Sequence, residues 1–516
     1  MLLGPVAYTQ FMPPRQYTRH TLASTVKTSV PPLPTAQLAP TDGLLARGDS
    51  STLAEQLAAR YAERIAQRLL APGARLPSVR EGARRHGVSP GTVVGAYDLL
   101  QARGLVQAKP QRGYFVRESV RDARHAGTAA APLRTPAPRL APLPAPLDAT
   151  ALIRSMFQVQ GGRPAPAMGT LPEAWLDAGL LQRALRRVCA TPEPWLSYGD
   201  PAGDAGLRTA LSQRLADLGV PAPPAQIVTT SGATHALDLI CRTLLQPGDT
   251  VLVDEPGWAV EFARLSRMGM RLLPVPRTAE GPDLAVLAAL LREHAPRLYI
   301  TVSVLHNPTG ASLSPASAHQ VLRLAEAHDL TIVEDDSYAW LAPPHATRLA
   351  QLDALKRTVY VSGFSKILTP QWRVGFVAAA PALVERLIDT KLLTALTTPA
   401  PLEQALAICL AQGSLRRHAE RVTARLDAAR ARTTRLVREA GCHFVTPPAG
   451  LFGWVDVGAD TEALAQVLLD EGWLIAPGAL FHASSRRTSL MRVNFATAQD
   501  ARFWAALKRL ATTAHT

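Results

Sequence analysis

Cysteine is scarce: Cys189, Cys241, Cys409 and Cys442 are the only four in 516 residues, far apart and without a C-x-x-C pair. That spacing argues against a disulfide framework or a zinc site and predicts reduced, mostly buried thiols in a cytoplasmic protein. No uninterrupted apolar run reaches the ~20 residues that span a bilayer, and no signal-peptide core with a cleavage site is evident, so no membrane partner is expected. No acidic residue precedes Asp42. The first fifty residues, rich in Pro, Thr and Ser, are expected to be a disordered arm or an extension from a misplaced start codon, although the composition also overlaps that of a transit peptide. No internal repeat is visible.

What the chain does have is a 47% hydrophobic fraction, which excludes general disorder, and enough length for a large core plus an accessory module. Its formal net charge of +14 suggests a polyanionic partner.

Order is predicted from about residue 51 to 117. Leu53, Leu57, Tyr61, Ile65 and Leu69 recur at helical spacing until Ala71-Pro72-Gly73. A second short helix runs to His86, and Gly87-Val88 makes a tight turn. Ser89-Pro90 opens a third helix, with serine as cap and proline at a position whose N–H needs no partner. Val93, Ala96, Tyr97 and Leu100 form its apolar face. Two short strands, Leu105–Ala108 and Tyr114–Val116, flank a turn holding Lys109, Gln111, Arg112 and Gly113. Three helices and a basic hairpin make a winged helix-turn-helix. Residues 118–150 are a Pro/Ala-rich linker, semi-rigid at ~3.1 Å per residue and able to span up to roughly 90 Å.

From 151 to 516 the pattern is α/β. Strands are predicted at Gln226–Thr229, Thr250–Asp254, Leu298–Val302, Thr331–Glu334, Thr358–Val361 and Val374–Ala378. A smaller subdomain from about residue 401 holds a helix over Arg425–Ala440, strands near Gly453–Val457 and Leu490–Phe495, and a closing helix over Gln499–Leu510.

Several motifs sit where these strands end. Ser231-Gly232-Ala233-Thr234 follows a strand and opens a helix, an arrangement that favours an anion. Asp254-Glu255-Pro256-Gly257-Trp258 puts an aromatic face past a strand end. His306-Asn307-Pro308-Thr309-Gly310 offers an amide beside a tight turn. Glu334-Asp335-Asp336-Ser337-Tyr338 closes a strand with carboxylates; no His or third carboxylate stands at metal-binding spacing. Val361-Ser362-Gly363-Phe364-Ser365-Lys366 holds a lysine in an apolar, hydroxyl-rich setting. Arg373 follows it, a bidentate partner suited to phosphate. A partly desolvated lysine is a neutral nucleophile.

Two resemblances follow from these residues. Pro72-Gly73-Ala74-Arg75-Leu76-Pro77-Ser78-Val79-Arg80, Gly87-Val88-Ser89, Thr92-Val93, Gly104-Leu105-Val106 and Arg112-Gly113-Tyr114-Phe115-Val116 resemble the DNA-binding domain of the GntR family. The resemblance implies that Arg80, Ser89 and Thr92 meet phosphates or base edges, and that Arg112 and Gly113 enter the minor groove. Pro90 and Val94 stand where that family commonly has Arg. The motifs from about Ser197 to Phe495 resemble fold-type I pyridoxal-phosphate aminotransferases. This implies pyridoxal 5'-phosphate as cofactor, an aldimine at Lys366, Asp335 at the pyridine nitrogen, and Asn307 and Tyr338 at the ring oxygen. Trp258 would stack on the ring, while Gly232, Ala233, Thr234, Ser365 and Arg373 would lie at the phosphate. Tyr198 would reach the neighbouring subunit's phosphate, and Arg492 would grip a ligand carboxylate. Gly363 stands where the family often has Ser or Thr, leaving Ser362 and Ser365 as the available hydroxyls.

The expected fold is therefore an N-terminal winged helix-turn-helix, mainly α, joined by a linker to an α/β fold-type I aminotransferase domain with a small α/β C-terminal subdomain. The pairing is similar to the MocR branch of GntR regulators. It implies a homodimeric, DNA-binding transcription regulator of amino-acid, amine or vitamin B6 metabolism that senses the cofactor or an amino-compound effector. The alternative is a working aminotransferase with an appended DNA-binding domain; in the regulator branch, weak or partial transamination is the most expected.

Overall fold

A computed structural model describes residues 51–66, 70, 73–110, 112–117, 166–190, 196–484 and 486–513. The expectations for the first fifty residues and the 118–150 linker lie outside the described residues.

Helices α1 (Leu53–Ala66), α2 (Val79–His86) and α3 (Pro90–Ala102) precede strands β1 (Val106–Lys109) and β2 (Gly113–Val116), which pair antiparallel. Each helix start has its own device. Thr52 Oγ1 accepts from the Glu55 amide while the Glu55 carboxylate accepts from the Thr52 amide, a reciprocal capping box. Ser78 caps α2 at the Glu81 amide and Ser89 caps α3 at the Thr92 amide. Gly87 ends α2 at φ +63°, a left-handed conformation that glycine adopts without strain. Leu57, Tyr61, Val93, Tyr97 and Leu100 form the buried core. The first wing strand starts one residue later than its sequence pattern predicts.

The large domain is built on an eight-stranded sheet. Its strands are β3 (Ile227–Thr230), β4 (Thr250–Glu255), β5 (Arg271–Thr278), β6 (Gly281–Pro282), β7 (Leu298–Thr301), β8 (Thr331–Asp335), β9 (Thr358–Gly363) and β10 (Gly375–Ala378), in the order β3-β10-β9-β8-β7-β4-β5-β6. The run from β9 to β5 is parallel, whereas β10 lies antiparallel to both neighbours. Parallel strands covered on both faces read as continuous apolar runs, which is why β7 and β9 stand out in the sequence. Strand β5 does not, because Pro274 and Pro276 interrupt it. It has β4 on one side and only the two-residue β6 on the other, so missing N–H groups are tolerated there.

A smaller four-stranded antiparallel sheet follows, of order β11-β12-β14-β13: β11 (His443–Phe444), β12 (Phe452–Asp456), β13 (Ala476–Pro477) and β14 (Leu490–Asn494). Val437, Val455, Leu464, Met491, Phe503 and Trp504 pack it against the helices Thr461–Asp470 and Ala501–Thr513 and the end of a long helix. That long helix spans Ser414–Glu439, starting eleven residues before its predicted beginning at Arg425. Leu415, His418, Ala419 and Val422 continue its buried stripe, but a strongly basic outer face hides the periodicity.

Candidate functional site

The carboxyl ends of β4, β7, β8 and β9 carry four of the loops singled out in the sequence, as open α/β sheets favour. Asp335 ends β8, buried, and its Oδ1 accepts from the Ser337 amide (3.0 Å) and hydroxyl (2.5 Å). Burial pushes its pKa up to about 6, against the pull of those hydrogen bonds. Lys366 follows β9 beyond the buried Phe364. Burial, helped by the positive charge of Arg492, lowers its amine to about 8, while Asp335 opposes the shift. Its Nζ donates to the Gly169 carbonyl at 2.7 Å.

Asn307, Tyr338 and Arg492 meet beside this lysine. Tyr338 lies beside Asn307, and burial raises its phenol further out of the titratable range. Asn307 Oδ1 accepts from Arg492 Nη1 at 3.2 Å. The Arg492 guanidinium lies over the rings of Phe452 (4.4 Å) and Phe481 (5.1 Å), and its Nη2 donates to Ala167 O at 2.6 Å. Its Nε is buried without a hydrogen-bond partner among the described residues. The stretch 166–170 thus lies across the lysine and the arginine. Asn494 Nδ2 pins it further through Met168 O (2.8 Å) and Thr170 O (2.9 Å).

The end of the site at Gly232 and Arg373 is equally tight. Gly232 has φ +87° and caps the helix Ala233–Leu244; a Cβ there would lie 2.6 Å from Arg373 Nη2. Arg373 Nη2 donates to Ser231 O (2.8 Å) and Nη1 to Ser365 Oγ (3.3 Å). The residues between Lys366 and Arg373 form turns and a 3-10 helix, Pro370–Trp372. Of the two hydroxyls near Gly363, Ser362 is committed to Asp336 O at 2.8 Å, which leaves Ser365 at this end. Thr234 is half-buried in the first turn of the helix. Trp258 is half-buried at the start of the helix Ala259–Arg267 and packs with Ala233 against the sheet core.

Tyr198 stands apart. It is 82% exposed in the single chain and joins none of these contacts. In the winged helix, Arg80, Ser89, Arg112 and Gly113 are exposed and Thr92 half-exposed; the Ser89 and Thr92 hydroxyls lie 2.9 Å apart.

Other groups escape sequence reasoning. Ser337, beside the Asp-Asp pair, fixes Asp335; a hydroxyl two residues past a strand-end carboxylate is a recognisable Asx-type signal. Arg75 lies against Gly113 in the wing, where a Cβ would be 3.4 Å from its Nε. The 166–170 stretch acts through carbonyls, which no side-chain pattern reveals.

Comparison with known proteins follows the same division. Residues 168–510 match the family described as aminotransferase class I and II, and residues 53–116 match bacterial regulatory proteins of the gntR family. The chain is 29% identical over 489 residues to the HTH-type transcriptional regulator TauR of Rhodobacter capsulatus, covering 90% of this chain and 97% of that one. It is also 29% identical over 476 residues to the uncharacterized HTH-type transcriptional regulator YdcR of Escherichia coli, covering 88% and 97%. Among solved structures, LysN, an alpha-aminoadipate aminotransferase from Thermus thermophilus complexed with N-(5'-phosphopyridoxyl)-L-leucine, superposes with a TM-score of 0.64. It is 25% identical, with 70% of this chain and 95% of that chain covered.

Proposed function

Because the chain belongs to the aminotransferase class I and II family and carries a GntR-family winged helix in the MocR-type arrangement, we propose that it is a pyridoxal-phosphate-dependent, DNA-binding transcription regulator. In this reading it is cytoplasmic and homodimeric, and it senses the cofactor or an amino-compound effector bearing a carboxylate. The observation that carries the proposal is the convergence of Lys366, Asp335, Asn307, Tyr338 and Arg492, with an anion cradle at Gly232 and Arg373, in a chain that also has a basic winged helix.

The residues fit the cofactor. Gly232 supplies a cradle that a side chain would fill, Arg373 lines it with positive charge, and Lys366 offers a depressed amine. When bound, pyridoxal phosphate supplies an electron-withdrawing ring that stabilises negative charge on a carbon beside its nitrogen. Asp335 would face the ring nitrogen and hold a proton there. Asn307 and Tyr338 would orient the ring oxygen, Trp258 would cover a ring face, and Ala233, Thr234 and Ser365 would join Arg373 at the phosphate. Arg492, sandwiched between aromatic rings, would orient a ligand carboxylate with a pre-organised fork. The exposed Tyr198, near the exposed Leu196, would complete a partner subunit's phosphate site.

A pH profile tests the lysine. The neutral-amine fraction grows as pH rises through the folded pKa, so pyridoxal-phosphate uptake, followed by visible absorbance, should accelerate through about 8 and then level off. A rise only near 10.5, the ordinary lysine value, would contradict the assignment.

The winged helix carries a second test. Arg112→Ala should weaken binding to the protected duplex by about 1–3 kcal/mol, and the slope of log affinity against log salt should fall by about one. Footprinting upstream of its own and neighbouring genes, with and without cofactor, finds that duplex; no protected site anywhere would defeat the regulator reading.

The complete side-chain set also favours a second reading, a working aminotransferase with an appended DNA-binding domain. Conversion of the bound cofactor to its amine form, reversed by a keto acid over many cycles, would establish it. A spectral response to one amino compound without keto-acid release supports the sensor.

A further inference from the structure

We infer that His482, held by Glu255, is a further ligand contact of the site served by Lys366 and Arg492. It selects amino acids whose side chain carries a hydroxyl or another hydrogen-bond donor over apolar ones of the same length. This role deepens the sensing function proposed above and rests on it.

His482 follows the 3-10 helix Gly478–Phe481, where the small sheet's surroundings meet the loop after β4. Its Nδ1 lies 2.6 Å from Glu255 Oε1, and Glu255 Oε2 accepts from the Ala483 amide at 2.9 Å. An ionised carboxylate only accepts, so Nδ1 carries a proton, and in the neutral ring Nε2 is then a bare acceptor. The side chain is 2% exposed, and Nε2 is buried with no hydrogen-bond partner among the described residues. One nitrogen of the ring is thus fixed and the other idle. Buried polar atoms are normally paired, and a ligand that pairs this one removes a cost the fold carries alone.

Site residues frame His482 on both sides. Phe481 lies over the Arg492 guanidinium at 5.1 Å, and its carbonyl accepts at 2.8 Å from the amide of Gly257, which precedes Trp258. Ala483 packs against the same core cluster as Ala233 and Trp258. The imidazole stands 6.5 Å from the ring of Trp454, which is opposite Arg492 in the register of β12 and β14 and shares its face of the small sheet. Arg492 Nε is also buried without a partner among the described residues. Two unpaired nitrogens therefore belong to one wall, one on a guanidinium suited to a carboxylate and one on an imidazole suited to a donor hydrogen. An amino acid with a polar side chain brings a partner for each; an apolar one brings only the carboxylate.

The test uses the full chain loaded with pyridoxal phosphate, titrated with amino acids that differ only by hydroxyl against methyl. The pairs, of increasing reach, are L-serine and L-α-aminobutyrate, L-homoserine and L-norvaline, and L-δ-hydroxynorvaline and L-norleucine. The reading is the ratio of the concentrations that half-change the visible absorbance, methyl member over hydroxyl member. In wild type the ratio should reach about tenfold for one pair, the worth of one hydrogen bond. It should fall to about one in His482→Phe and stay above one in His482→Gln, which keeps an acceptor. If Glu255 and His482 merely fasten the fold, both members of a pair weaken together and the ratio does not move. A ratio of one for all three pairs in wild type, or one that survives in His482→Phe, overturns the role. Should His482→Phe fail to fold, Glu255→Gln decides. An amide no longer fixes which ring nitrogen holds the proton, so the ratio should drop to about half or less, and an unchanged ratio overturns the role. A wild-type chain that takes up no cofactor, or responds to none of the six amino acids, refutes the sensing function itself.

Discussion

Full-length protein carrying Lys366→Ala should show no visible-absorbance change on addition of pyridoxal phosphate at any pH, while its cofactor-free form becomes harder to unfold near neutrality. The two outcomes share one cause. The folded protein holds the Lys366 amine down to about 8, from an ordinary 10.5. A lysine whose folded pKa is depressed costs stability wherever it is still forced to be charged. The folded form binds the proton less tightly, so stability rises with pH between about 8 and 10.5 and the full cost is present below that window. The shift corresponds to at most about 3 kcal/mol. Losing the hydrogen bond to Gly169 O gives back about 1–2 kcal/mol of that. A net gain of roughly 1–2 kcal/mol is therefore expected at neutral pH, vanishing by about pH 10.5. Denaturant midpoints of the two cofactor-free proteins at both pH values check it. Equal midpoints at neutrality would show that the amine is not strained.

The second large effect lies beneath the site. Asp254→Ala should destabilise the fold by about 3–5 kcal/mol in urea titration. Asp254 accepts from Arg277 Nη1 (2.9 Å), Tyr299 OH (2.6 Å), Thr301 Oγ1 (2.9 Å) and the Val302 amide (3.1 Å). Arg277 is 1% exposed, and its Nε and Nη2 have no hydrogen-bond partner among the described residues. Removing the carboxylate strands this guanidinium away from water, which costs far more than the pair itself contributes. Asp254→Leu combined with Arg277→Met should recover most of the loss, since an apolar replacement of both partners is close to neutral. Failure of that rescue would mean that Asp254 acts mainly through the Tyr299 and Val302 bonds.

The motif containing Asp254 shows how far sequence reading reaches. Asp254-Glu255-Pro256-Gly257-Trp258 is legible as a strand end with an aromatic beyond it, because strand termini and turn residues are local signals. The partners of its aspartate come from β5 and β7, and no spacing rule finds them. The same limit explains the candidate site as a whole. Lys366, Asp335, Asn307 and Arg492 each sit in a motif that can be read alone; the first three converge through the order of parallel strands, and Arg492 joins them from β14 of the small antiparallel sheet. The Gly169 and Ala167 carbonyls that occupy the lysine and arginine carry no side-chain signature. The long helix is legible only in its second half because charge on its outer face masks the buried stripe. In the winged helix nearly everything is local, from caps to turn glycine, so α2, α3 and the two wing strands can be read to within a residue or two, whereas α1 ends at Ala66 and its predicted continuation to Leu69 lies outside the described residues.

The peptide at 166–170 makes the site its own first tenant. Its carbonyls take one hydrogen bond from Lys366 and one from Arg492. On the proposed reading, an incoming molecule would gain only the difference between its contacts and those it evicts. A simple amine would compete at the lysine but leave Ala167 seated on the arginine. An amino acid would bring a carboxylate to displace a neutral carbonyl, because charge-assisted hydrogen bonds are roughly twice as strong. Discrimination in favour of amino acids would then be set less by what the pocket offers than by what the resident peptide refuses to surrender.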